Sequence, residues 1–149
     1  MQKYKYKSLL DILQQIRNLA YQDISYMKSI LDPNLNPEQL FSVLKANTTF
    51  VNDPPNTELI QRPKTLFENN FHGIPGAGDC DCFTTTVIAS CLALNYPEKK
   101  IKIVLAGRHK KEAVHIYNNV YNKPFDLCQP FYDMKRNYAF YQVLGLNEF

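Results

Sequence analysis

The sequence predicts an α+β fold, helices first and strands after, and three observations carry that prediction. Apolar residues recur at steps of three and four through residues 9–31 and again through 83–94, the spacing of helices that bury one face or more. Residues 101–106 and 113–120 alternate instead, the period of a strand. Between the two regimes a run of glycines and a proline, residues 73–78, ends abruptly at Asp79-Cys80, where an apolar stretch begins.

A chain of 149 residues suits one domain with one core, here a helical part over residues 1–47 and a remainder over 48–149. Hydrophobic residues make up 45% and charged residues 21%, which argues against a disordered or a membrane-spanning chain. The first fifteen residues mix lysine, tyrosine and leucine without a long apolar run or a small-residue cleavage site. A cytoplasmic protein is therefore expected. Its cysteines, at positions 80, 82, 91 and 128, then read as free, catalytic or metal-binding in preference to a disulfide framework. A net charge of +3 is too modest to argue for nucleic acid.

Taken in order, Leu9, Leu10, Ile12, Leu13, Ile16, Leu19 and Ala20 form a stripe that Ile24, Met27, Ile30 and Leu31 extend until Asp32-Pro33 stops it. This is one long helix or two abutting ones, expected to pack on the helix that follows Cys80. Asn36 caps the next helix, with Pro37 at its first position and Leu40, Phe41 and Leu44 on one side, ending near Asn47. Residues 48–75 are rich in Asn and Pro, with a turn signal at Asp53-Pro54-Pro55-Asn56 and a short helix from Pro63 carrying Leu66 and Phe67. In the helix after Asp79, Phe83, Val87, Cys91 and Leu94 form a stripe while Ile88, Leu92 and Ala93 fill much of the rest, which predicts burial nearly all round.

Asn95-Tyr96-Pro97 ends that helix. The strand 101–106 follows, then a charged loop over 107–112 and a strand over 113–120 with His115 and Tyr117 on the face opposite Val114 and Ile116. A third strand is expected over 125–128, and a fourth element of open type over 138–146.

Asp79 as N-cap puts Cys80 in the first turn, where unpaired N–H groups and the positive end of the macrodipole favour a thiolate. The expected consequence is a pKa below the usual value of about 8.5. The plainer alternative is a small buried cysteine. A nucleophilic cysteine needs a base, and the base an orienting group. His115 and Asp126 are directly opposite each other if the chain reverses between Val120 and Tyr121, among the turn formers Asn118, Asn119 and Asn122. A turn at Asn122-Lys123 would instead displace them by four residues, about 13 Å along the strand.

These residues carry a resemblance. Gly78-Asp79-Cys80-Asp81 opening a buried helix, then His115 in Val-His-Ile-Tyr, then Asp126 in Pro-Phe-Asp-Leu, resembles the transglutaminase-like superfamily of cysteine enzymes. The approach through Asn52-Asp53-Pro54 and residues 58–63 is similar to its small bacterial and phage-encoded branch. The resemblance spans roughly residues 50–130 and implies a single transglutaminase-like domain of papain-like α+β fold, its cysteine helix packed on an antiparallel sheet. It implies Cys80 as nucleophile, His115 as base and later acid, and Asp126 as orienter, in acyl transfer from a protein or peptide amide to water or an amine, without a cofactor.

The chain departs from the family pattern at Cys82, where many members have Asp, and at Tyr117, where an aromatic near the histidine is often Trp. With no Trp in the sequence, an oxyanion would be held by the backbone N–H of Cys80 and by a second donor left open among Asn69, Asn70 and His72.

Other readings concern binding. Cys80, Cys82, Cys91 and Cys128 with His109 or His115 match no usual zinc spacing, so no metal site is expected. Lys99, Lys100, Lys102, Arg108, His109, Lys110 and Lys111 form a basic run at strand ends, most simply a solvated face, with an acidic polymer as the alternative partner. His72 and His109 read as exposed or locally bonded imidazoles. Against the enzyme stands a non-catalytic relative that keeps the fold as an interaction or assembly module, for example in a phage particle.

Overall fold

The protein is described by a computed structural model that covers residues 8–55, 57, 59–109 and 112–149. Residues 1–7, Asn56 of the expected turn, Glu58 of the family-like approach, and Lys110 and Lys111 of the basic run lie outside the described residues.

The N-terminal stripe forms two helices, α1 (Leu9–Gln22) and α2 (Ile24–Ile30). The break falls at Asp23, whose backbone leaves helical geometry. Its buried carboxylate accepts from Arg62 Nε at 2.8 Å and from the Lys64 backbone N–H at 2.9 Å. Burial alone would raise the Asp23 pKa, but these bonds and the Arg62 charge outweigh it and hold the group below its ordinary value. Helix α3 (Pro37–Ala46) starts on a capping box in which Asn36 and Gln39 satisfy each other's backbone N–H groups. Helix α4 (Pro63–Glu68) begins at its proline, as expected.

The intervening loops contribute a feature that the pattern did not suggest. Strands β1 (Thr49–Phe50) and β2 (Ala77–Gly78) pair in parallel, with Thr49 N–H donating to Gly76 O at 3.0 Å and Val51 N–H to Gly78 O at 2.8 Å. Two-residue strands carry no readable period. Their effect is to tie the glycine approach to the end of α3.

Gly76 makes that approach tight: its φ is 82°, and a Cβ there would lie 1.9 Å from the Asn47 carbonyl oxygen. Gly73, at φ 73°, faces open space. Gly76→Ala is therefore expected to cost about 3 kcal/mol or more, from backbone strain plus a displaced α3 terminus, and Gly73→Ala only about 1 kcal/mol. Urea denaturation of the two variants checks this, and equal midpoints would refute it.

Helix α5 (Cys80–Ala93) is buried along almost its whole length. Asp79 caps it, accepting from the Asp81 backbone N–H at 3.3 Å. Helices α1 and α2 pack on α5, and α5 packs on the sheet. That sheet is four-stranded and antiparallel, in the order β5 (Lys123–Phe125), β4 (His115–Val120), β3 (Ile101–Gly107), β6 (Phe140–Gly145). The element of open type is thus an edge strand beside β3.

Ile101, Ile103, Leu105, Ile116 and Val120 join the helices in one core. Val104, Ala106 and Tyr117 pack with Tyr138 in a smaller cluster. The class is α+β. No helix among the described residues is long and apolar enough to cross a membrane.

Candidate functional site

The hairpin joining β4 to β5 sets the site. Its register pairs Val120 with Lys123, Asn119 with Pro124 and Asn118 with Phe125, so the chain reverses at Tyr121-Asn122 and not between Val120 and Tyr121 as expected. Both turn residues adopt positive φ, 51° and 62°, the geometry of a two-residue loop matched to strand twist. Continuing the register by one residue places Asp126 opposite Tyr117. His115 and Asp126 are therefore diagonal neighbours on one face, not a direct pair. Diagonal neighbours remain within reach of long side chains, and His115 Nε2 lies 2.6 Å from Asp126 Oδ2.

The expected third strand over 125–128 also stops short. After Phe125 the chain turns, because Asp126 Oδ1 accepts from the Cys128 backbone N–H at 3.0 Å and the Asp126 carbonyl accepts from Gln129 N–H at 2.9 Å. An aspartate that captures the backbone two residues on starts a turn instead of extending a ladder. The same turn leaves Oδ2 for His115.

His115 and Asp126 are each 3% exposed. The imidazole packs against two tyrosine rings, Tyr117 at 5.4 Å and Tyr138 at 6.0 Å between centroids, both nearly parallel to it. With Nε2 against a carboxylate oxygen, the proton of a neutral ring belongs on Nε2, leaving Nδ1 as the basic nitrogen. Nδ1 is buried and has no hydrogen-bond partner.

Cys80 opens α5 and is 2% exposed. Its Sγ lies 3.8 Å from Asp81 Oδ1. Burial pushes the thiol well above its ordinary pKa, with Asp81, Asp79 and Cys128 pushing the same way and a hydrogen bond from the Ile116 backbone N–H opposing them. This overturns the expectation of a lowered pKa. The macrodipole favours a thiolate, but two carboxylates share the same helix start and water is excluded there. Asp79 itself rises to about 8, through burial and the neighbouring Asp81 and Asp53. The Ile116 contact nonetheless sets the Cys80 sulfur against β4, one residue along from His115.

The other cysteines divide sharply. Cys82 is enclosed: its Sγ accepts from Gln61 N–H at 3.3 Å and donates to Leu59 O at 3.5 Å, and burial pushes its pKa up to about 12. A Cβ on Gly78 would come within 2.9 Å of Cys82 Cβ, so the glycine before the motif serves close packing. Cys91 is buried along α5. Cys128 is half-buried, and its Sγ, a ring nitrogen of His115 and a carboxylate oxygen of Asp126 all lie within 4.8 Å of one another.

Sequence reasoning missed Cys128 and Tyr138 at this site. Cys128 was detectable only with the Asp126 turn in hand, and Tyr138 arrives from residues 134–138, which have no regular structure.

The oxyanion candidates have other duties. Asn69 is an exposed residue at the end of α4. Asn70 spends its amide N–H groups on the carbonyls of Leu66 and Ala77, both at 2.8 Å, and its oxygen on His72 N–H. His72 Nε2 stands 4.0 Å from Asp53 Oδ1. Cys80, Thr84, Ile116, Tyr117 and Asp126 share the walls of one crevice that is too small to hold a water molecule. No family model, curated protein or solved structure matches the chain.

Proposed function

We propose that the protein is a cysteine-dependent acyl-transfer enzyme acting on peptide or isopeptide amides, with Cys80 as nucleophile, His115 as base and Asp126 as its orienter. The observation that carries this reading is the buried 2.6 Å contact of His115 Nε2 with Asp126, which leaves an unpartnered Nδ1 on the strand that Cys80 abuts. Asp126 holds the tautomer, and Nδ1 takes the thiol proton as sulfur attacks the amide carbonyl. The same nitrogen then returns the proton to the leaving amine, and water or a second amine resolves the thioester. The packing of α5 on the antiparallel sheet supports a papain-like arrangement of the transglutaminase-like kind.

Burial of all three groups means that turnover requires an opening. The segment over residues 134–138, which brings Tyr138 onto His115, has no regular structure. A second reading, a non-catalytic interaction or assembly module such as a phage particle uses, is favoured by the closed, high-pKa thiol.

Alkylation at neutral pH separates the two. The enzyme reading expects a small haloacetamide to label Cys80 faster than free cysteine, with His115→Ala abolishing the excess rate. Labelling of Cys80 no faster than free cysteine favours the module.

A further inference from the structure

We propose that His115, Asp126 and Cys128 form a binding site for one divalent cation of the zinc class, whose occupation takes His115 away from Cys80. The regulatory half of this statement rests on the acyl-transfer reading above; the binding half does not.

The donors are of the right kind. An imidazole nitrogen, a carboxylate oxygen and a thiolate sulfur are the ligand types of zinc, whereas magnesium and calcium favour oxygen alone. They are also close enough. All three atoms lie within 4.8 Å of one another, and bonds of about 2.0–2.3 Å to a common ion set donors about 3.2–3.8 Å apart. The His115–Asp126 contact at 2.6 Å is tighter than that, so an ion entering would break this hydrogen bond and spread the pair.

An ion held at Nε2 leaves the ring proton on Nδ1, the buried nitrogen without a partner, which can then no longer accept from Cys80. Cys128 alone of the three is half-exposed, beside a pair that is buried, which supplies an entry path. The set differs from the four cysteines with His109 or His115, whose spacing matches no usual zinc pattern. Cys82 is bonded to Gln61 and Leu59, and Cys91 lies along the buried α5, so neither contributes. The ligands are brought together by the hairpin and the Asp126 turn, a juxtaposition that no linear spacing rule describes.

Cobalt(II) titration of the reduced full chain reads binding without reference to activity. A tetrahedral site with a thiolate ligand gives a sulfur-to-cobalt charge-transfer band, expected here at one ion per chain, displaced by zinc and unaffected by magnesium. The band should vanish in Cys128→Ser and persist in Cys80→Ala. Zinc should also protect Cys128 of the unaltered chain from alkylation, a measurement that needs no variant to fold. Absence of the band in the unaltered chain, its persistence in Cys128→Ser, or no protection of Cys128 overturns the site. A Cys128-dependent band in a protein without acyl-transfer activity keeps the site and removes the enzyme reading. Turnover that continues unchanged at full zinc occupancy overturns the regulatory half alone.

Discussion

Replacing Cys80 by alanine is expected to lower acyl transfer by on the order of 10⁵-fold or more, because without the sulfur no thioester can form. Folding should change little, by about 1 kcal/mol for one buried sulfur. The comparison that gives this result meaning is Cys82→Ala. Cys82 lies on the side of α5 that meets Leu59, Gln61 and Gly78, so its loss should reduce stability and spare turnover. Single-turnover rates and urea midpoints for both variants check the pair. Loss of activity confined to Cys82→Ala would reject the assignment. Loss in Cys128→Ser with full activity in Cys80→Ala would move the nucleophile to Cys128, whose sulfur lies within 4.8 Å of a ring nitrogen of His115.

Asp126→Asn should lower kcat by about 10³–10⁴-fold while the chain stays folded. Asn keeps an oxygen for the Cys128 backbone N–H that now bonds Oδ1, so the turn persists. What changes is the group facing His115 Nε2. An amide N–H there stabilises the tautomer with its proton on Nδ1, the nitrogen that must accept from Cys80. The loss should therefore fall on kcat more than on KM. A rate equal to that of the unaltered chain, with circular dichroism showing the same fold, would remove Asp126 from the mechanism.

Both expectations depend on a contact that the sequence suggested for an incomplete reason. From the sequence, His115 pairs with Asp126 by direct opposition across a turn next to Val120. The turn forms one residue later, and the register moves by two. A two-residue move keeps every side chain on its face, because the strand period is two, whereas a one-residue move would have put Asp126 on the far side of the sheet. The turn at Asp126 then carries the Cys128 sulfur to His115 and Asp126, which no reading of the linear spacing anticipated. In a run with Asn118, Asn119 and Asn122, several turns satisfy local preference. The face pattern of Ile116, Val120 and Phe125 in the common core admits only registers that differ by two, and so leaves more than one of these turns open.

The sequence by itself determined the α+β class, the starts of α3, α4 and α5, and the strand that carries His115. Those features are set within one or two turns of chain, by an Asn or Asp side chain meeting a nearby N–H, by proline at a first helical position, and by the apolar period. The tertiary structure alone decided the break at Asp23, through a carboxylate held by Arg62 and Lys64 from another helix. It alone decided the β1–β2 tie, the hairpin register and the position of Tyr138 over His115. It also reversed the expected acidity of Cys80. The helix start is a local feature and favours the thiolate, but desolvation is the work of every element packed around the sulfur, and it wins.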